Sequence, residues 1–327
     1  MSNSSNKLSR RTVLAGAGAA AVGTAIPFAA TSKASAVGDG HGLHVLFDQK
    51  INSRLHYLRF ETAALKLLNA VPPAVNILLP NGYEQSGKRY PVIYLFHGGP
   101  GLFSDWDVHH HIADLVGNQE VIVVMPDGGV GGWYSNPKFQ QMGPRNYETF
   151  HMAQLLPWVD QNYRTIPEYA GRAVAGFSMG GFGAMKYAAK YYGHFKSVTC
   201  ISGPTSLRRD FGLVGHFMNT SNVVETGHPA SLYGLPWDEK LVSADNPMEN
   251  LERYRGKRVA FFSGDQADVT APQELQVRAG QEEFSAALKR VGIPHKFVRF
   301  QGKHGARVAQ SMREEIPEIL GVLNRAG

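Results

Sequence analysis

Five residues, Gly176-Phe177-Ser178-Met179-Gly180, constrain the fold of this chain more than any other stretch. They spell G-x-S-x-G. A short apolar run, Arg172-Ala173-Val174-Ala175, precedes them, and a small, helix-compatible run from Gly181 to Ala189 follows. A strand that turns sharply into a helix leaves the serine on a strained backbone, so the flanking positions must be small. The turn lifts the Ser178 hydroxyl above the sheet edge and aims the next N–H, that of Met179, into the same space. Ser178 is therefore a candidate nucleophile, and the Met179 N–H a candidate oxyanion donor.

The rest of the chain supplies a matching scaffold. Short apolar runs at Ala74–Pro80, Tyr90–His97, Glu120–Pro126, Arg172–Gly176, Lys196–Ser202, Arg258–Ser263 and His295–Phe300 read as strands. Helical patterns fall between or after them at His111–Val116, Thr149–Tyr163, Gly180–Tyr192, Gln281–Val291 and Ala306–Asn324. Near-continuous apolar strands alternating with helices predict an α/β class with a mostly parallel central sheet covered on both faces. Leu43–Phe60 is expected to open the sheet as an antiparallel strand or hairpin. Residues 204–250 are broken by Gly, Pro and Asn and do not fit the alternation. They read either as the wall or lid of a cleft or as a connecting helix with a loop.

A serine nucleophile needs a base, and the base needs an acid to orient it. In the α/β-hydrolase fold the chain order is serine, acid, histidine. Of the late histidines, His295 sits at the entry to the last predicted strand. His304 lies in the loop after it, from where it can fold back over Ser178, and is the expected base. Asp265, Asp268 and Glu274 all follow the strand that ends at Ser263; on motif geometry alone Asp268 is the choice. The second oxyanion donor is expected from His97-Gly98-Gly99-Pro100, where the Gly99 N–H is free to point at a substrate and Pro100 has no N–H. Asp127–Tyr134 reads either as a rim presenting Trp133 and Tyr134 to a sugar or aromatic group or as a plain loop with one buried aromatic. It lacks the Lys-Ser/Thr of a phosphate loop and the spacing of a dinucleotide site. His109-His110-His111 does not read as a metal site, because adjacent helical histidines point in different directions. No cofactor or metal is implied.

Composition bears mainly on location. Residues 1–36 contain Ser9-Arg10-Arg11-Thr12-Val13-Leu14, an Ala/Gly-rich apolar run and Ala34-Ser35-Ala36, with no acid. This pattern predicts a twin-arginine export signal cleaved after Ala36, with the translocase as a partner and residues 37–327 as one domain. The apolar run is broken by glycine, so no stable membrane anchor is expected. The net charge of +6 falls to +2 for residues 37–327, because Lys7, Arg10, Arg11 and Lys33 supply four positive charges. With no dense basic stripe, nucleic acid is not an expected partner. Cys200, the single cysteine, permits no internal disulfide.

From about Leu43 to Leu323 the chain resembles the esterase-D/antigen 85 branch of the α/β-hydrolases. The likeness is carried by Tyr94-Leu95-Phe96-His97-Gly98-Gly99, Asp105-Trp106-Asp107, Val124-Met125-Pro126-Asp127-Gly128-Gly129, Trp133-Tyr134-Ser135, Tyr147-Glu148-Thr149-Phe150 and the run around Ser178. That branch includes mycolyltransferases and feruloyl or acetylxylan esterases. In it the acid is a glutamate followed by Val-Arg, which Glu274-Leu275-Gln276-Val277-Arg278 resembles. The resemblance thus moves the first choice to Glu274, with Asp268 as the alternative, and places Trp106 and Trp133 beside the substrate. His304 matches the branch's Gly-Thr-His-Ser-Trp motif only at the histidine. The expectation is a secreted serine esterase acting on a small or polysaccharide-linked ester. An acyltransferase onto a cell-envelope sugar and a non-catalytic envelope-binding protein are the alternatives.

Overall fold

A computed structural model describes residues 37–66, 71–141, 143–226, 230–267 and 273–327. The expected export signal, residues 1–36, and Asp268 lie outside the described residues. The elements begin with β1 (Leu43–Lys50), β2 (Leu55–Thr62), β3 (Ala74–Leu78) and β4 (Val92–Phe96). Then come α1 (Asp105–Val108), α2 (Ile112–Val116), β5 (Ile122–Pro126) and the two-residue β6 (Phe139–Gln140). A π-helical stretch, Thr149–Leu155, runs into α3 (Leu156–Asn162), followed by β7 (Arg172–Phe177), α4 (Met179–Lys190) and β8 (Ser197–Ile201). The expected insertion contains α5 (Arg209–Thr226), β9 (Ala230–Ser231) and α6 (Glu239–Asp245). The chain closes with β10 (Arg258–Gly264), α7 (Glu274–Arg290), β11 (Lys296–Phe300) and α8 (Val308–Leu320).

Among the described residues one nine-stranded sheet runs in the order β1-β2-β3-β5-β4-β7-β8-β10-β11. The first three strands pair antiparallel, and β5, β4, β7, β8, β10 and β11 pair parallel. The hairpin of β1 and β2 occupies the position expected for Leu43–Phe60. Strand side chains alternate between two cores, as the two-residue period requires. Val92, Tyr94 and Phe96 enter one with Val174, Val259 and Phe261; Ile93 and Leu95 enter the other with Ala173, Ala175 and Phe262. The first core is capped by Phe182 and Met185 of α4 and Phe284 and Leu288 of α7. The second is capped by α2 and by Met312, Ile316 and Ile319 of α8. All the parallel strands therefore end on one edge, where ligand sites of such sheets lie.

The helical pattern at Thr149–Tyr163 is present, but its first half is wound as a π-helix. Pro157 lies two residues beyond it, in the first turn of α3, and has no N–H to give. Its ring would also crowd the carbonyl four residues back, so a wider turn relieves the conflict. Residues 204–250, read either as a cleft wall or lid or as a connecting helix with a loop, hold an 18-residue helix. Its first turn bends at Asp210 and Gly212, which have φ of 52° and 79°. The glycines that broke the pattern let Trp237 lie against the helix: a Cβ at Gly215 would come within 2.8 Å of its ring.

Candidate active site

The strand-to-helix turn at Ser178, here called the elbow, is built by close backbone approach. Ser178 has φ 54° and ψ −116°, between the end of β7 and the first residue of α4, and its N–H donates to Ile201 O at 2.8 Å. A Cβ at Gly176 would meet Gly180 O at 2.3 Å, and one at Gly180 would meet Phe96 O at 2.4 Å. Only glycine permits both approaches. The Met179 N–H opens α4, where no preceding turn offers it an acceptor.

Three side chains from three elements converge here. His304 Nε2 lies 2.9 Å from Ser178 Oγ, and its Nδ1 lies 2.5 Å from Glu274 Oε2. Glu274, the first residue of α7, is fully buried. Its other oxygen accepts from the Gly264 N–H at 2.5 Å and from Ser202 Oγ at 2.8 Å. A buried carboxylate costs least when its lone pairs are met by donors, and these donors also fix which oxygen faces the imidazole. Phe177 packs on the His304 ring at 4.9 Å between centroids. The structure thus brings Ser178, His304 and Glu274 together. His295 stands apart, at the opposite end of β11, bonded to Ser285 and the Ile293 carbonyl and stacked on Phe261.

The loop after β4 is held from several sides. His97 Nε2 accepts from the Gly128 N–H at 2.8 Å, so its Nδ1 carries the proton and donates to Gly98 O at 2.8 Å. Gly98 O also accepts from the Gly101 N–H. A trans peptide points its C=O and N–H in opposite directions, so these bonds turn the Gly99 N–H the other way. A Cβ built at Gly98 would lie 3.3 Å from Ser178 Cβ, and one at Gly99 would lie 3.5 Å from Met179 Sδ. The backbones of Gly98 and Gly99 therefore lie against Ser178 and Met179. The ring of His97 was not singled out in the sequence; its place before Gly-Gly was the available signal.

A cavity of about 370 Å³ adjoins this loop, walled by Gly98, Gly99, Leu102, Trp106, His110 and Phe177 among others. Trp106 forms part of that wall, with its Nε1 donating to Phe96 O at 3.1 Å. The expected exposed rim at Trp133 and Tyr134 is not found. Trp133 is 8% exposed, its Nε1 donates to Ser221 Oγ, and its ring meets Phe182 and Phe217 edge-on. It supports α5 and does not line the cavity. Tyr134 is buried, and its hydroxyl donates to His97 O at 2.9 Å. Trp133 is covered by α5, and Tyr134 is enclosed by Phe96, His151 and the close approach of Gly183, contacts invisible in the local sequence. Among the described residues no three His, Cys, Asp or Glu side chains gather as metal ligands would.

Residues 71–320 match the esterase family, described as "Putative esterase". The chain is 51% identical over 273 residues to Esterase Rv1288 of Mycobacterium tuberculosis, covering 81% of this chain and 59% of that protein. It therefore spans about three-fifths of that relative's length. It is 27% identical over 187 residues to the diacylglycerol acyltransferase/mycolyltransferase Ag85A of Mycobacterium bovis, covering 54% of this chain and 52% of that one. The solved structure of a ferulic acid esterase superposes with a TM-score of 0.62 at 23% identity, covering 84% of this chain and 100% of that one, a likeness of fold.

Proposed function

The chain belongs to the esterase family of α/β-hydrolases, and from that premise we propose that it is a serine esterase working through an acyl-enzyme on Ser178. The observation that carries this reading is the continuous relay from Glu274 through His304 to Ser178, with bonds of 2.5 and 2.9 Å. In the first step Ser178 Oγ attacks the ester carbonyl carbon while His304 Nε2 takes its proton. Glu274 holds the ring in the required tautomer and stabilises the imidazolium. The carbonyl oxygen, now negative, is met by the Gly99 and Met179 N–H groups; loss of one such donor costs on the order of 10²–10³ in rate. The tetrahedral adduct collapses, the C–O bond to the alcohol breaks, and His304 returns its proton to the leaving oxygen. Water, deprotonated by His304, then repeats the sequence on the acyl-enzyme and frees the acid and Ser178 Oγ–H.

Acyl transfer to a sugar hydroxyl is the second reading. The cavity walled by Gly98, Gly99 and Phe177 favours it, because it offers room for an acceptor beside the residue that precedes Ser178, and Ag85A is named a mycolyltransferase. Product analysis with trehalose present separates the two: an acyl-sugar marks transfer, and free acid alone marks hydrolysis. We place the site of action outside the cytoplasm, on the Arg10-Arg11 signal and the Ala34-Ser35-Ala36 cleavage motif. Among the described residues no helix is long and apolar enough to cross a membrane.

One experiment tests the chemistry and the location together. Protein from the extracytoplasmic fraction is labelled with a fluorophosphonate and mapped by peptide. The expected result is label on Ser178 and an N-terminal peptide starting at Val37. Ser178→Ala should abolish p-nitrophenyl acetate turnover while the fold persists; full turnover in that variant would sink the esterase reading.

A further inference from the structure

Ser202 stands one residue past the end of β8, between the nucleophile strand β7 and β10 on its other side. It has φ 49°, a left-handed backbone that costs a non-glycine residue free energy, and it is fully buried. Its N–H donates to Phe262 O at 2.7 Å, and its hydroxyl donates to Glu274 Oε1 at 2.8 Å. A second bond fastens the same two segments: Gln281 Nε2, on the helix that Glu274 opens, donates to Gly203 O at 3.0 Å. A strained, buried serine aimed at a carboxylate is held there by its neighbours on both sides.

We propose that Ser202 is a positioning residue for the reaction: its hydroxyl, together with the Gly264 N–H, pins Glu274 Oε1 so that Oε2 alone faces His304. The argument is geometric. Two donors on one carboxylate oxygen fix the rotation of the carboxylate plane, and His304 then meets an oxygen with no other partner among the described hydrogen bonds. With the hydroxyl gone, a single N–H remains as a pivot. The carboxylate can then rotate about it, and the imidazole loses its fixed orientation toward Ser178. Ser202 touches neither substrate nor Ser178, so it acts through Glu274. This inference rests on the triad of the proposed function.

The test uses Ser202→Ala and Ser202→Gly, the glycine variant relieving the backbone at φ 49° so that a folded protein lacking the hydroxyl is available. Ser263→Ala is the control, a fully buried serine on β10 whose hydroxyl bonds no described residue. Loss of a hydrogen bond to a charged group predicts roughly a tenfold fall in kcat, with KM within about twofold, for both Ser202 variants and not for the control. The second readout is the far-downfield proton resonance expected of the short His304 Nδ1–H to Glu274 bond. It should shift or vanish in the Ser202 variants and stay in Ser263→Ala. Unchanged kcat and an unchanged resonance in the Ser202 variants would overturn the proposal, even if their Tm fell. The resonance reads the Glu274–His304 pair without turnover, so failure of the esterase reading and failure of this one are seen separately.

Discussion

Glu274, the proposed acid, is the residue where charge and shape can be separated. Glu274→Gln keeps the side chain's size and its place among the Gly264 and Ser202 donors, but removes the charge that stabilises an imidazolium. It also lets an amide N–H face His304 Nδ1 and so favour the wrong tautomer. We expect kcat to fall by about 10²–10⁴-fold with the Tm little changed. Fluorophosphonate labelling of Ser178 should slow with it, whereas Asp268→Ala should label at the parent rate. Rapid labelling of Glu274→Gln and slow labelling of Asp268→Ala would reverse the assignment. Ser178 and His304 were legible in the sequence because each sits at a position the topology defines, the turn after one strand and the loop after another. Glu274 was not legible from geometry. Three acids follow β10, and choosing among them needed the resemblance, since the distance from the strand end to the start of α7 cannot be read locally. Ser202 gave no signal at all: a serine at a strand end acquires meaning only when β8 and β10 lie side by side and bring residue 202 to residue 274.

At the scale of elements, the elbow is a contact between two backbones, and its glycines carry the largest predictable effects. Gly180→Ala would place a Cβ 2.4 Å from Phe96 O and 2.5 Å from His97 O. Both are backbone atoms of the strand and loop that carry the proposed oxyanion donor Gly99, so neither can turn aside. Either α4 moves off the loop or the loop moves off the serine. Overpacking of this kind costs about 1–3 kcal/mol, and the displacement falls on the Gly99 and Met179 N–H groups. The expected outcome, read by urea unfolding and steady-state kinetics, is a destabilised protein whose kcat falls by at least about 10²-fold, the cost of one oxyanion donor. A variant with parent kcat would show that the two donors do not depend on this contact. The parallel strands were legible because continuous apolar runs have few alternatives. The helix at Arg209–Thr226 was legible only as one of two readings, because its glycines read as breakers when they are in fact the surface on which Trp237 packs. The buried ion cluster was hidden. Lys186, fully buried on the elbow helix, meets Glu148 at 2.7 Å and Asp245 at 2.9 Å, and Lys190 meets the same two acids. Its members come from three distant segments with no shared pattern.

Across the whole molecule, these buried charges and the π-helix set the response to acid. His151 lies in the π-helix, wholly enclosed; its Nε2 donates to Asp127 O at 2.8 Å and its Nδ1 accepts from the Tyr187 hydroxyl at 3.1 Å. Burial pulls its pKa down from 6.5 to about 4. Above pH 6.5 both folded and unfolded chains hold it neutral, and it contributes nothing to the pH dependence. As pH falls below 6.5 the unfolded chain takes up the proton first, so stability is lost between pH 6.5 and 4, amounting to about 3 kcal/mol at the lower end. Glu148 adds to the loss further down. Burial pushes its carboxyl up, but Lys186 and Lys190 outweigh burial and hold it below the usual 4.5. Its contribution is therefore present above pH 4.5 and disappears as the pH falls below that value. The two groups act in sequence and in the same direction, so unfolding free energy from urea titrations should decline steadily from pH 6.5 downward. His151→Gln keeps a donor and an acceptor but cannot titrate. It should flatten the upper part of that decline, between pH 6.5 and 4.5, by up to about 1.4 kcal/mol per pH unit, the slope of one proton. An undiminished slope in that variant would mean that another group takes up the proton, and that the histidine beneath the oxyanion loop is not what makes the fold acid-labile.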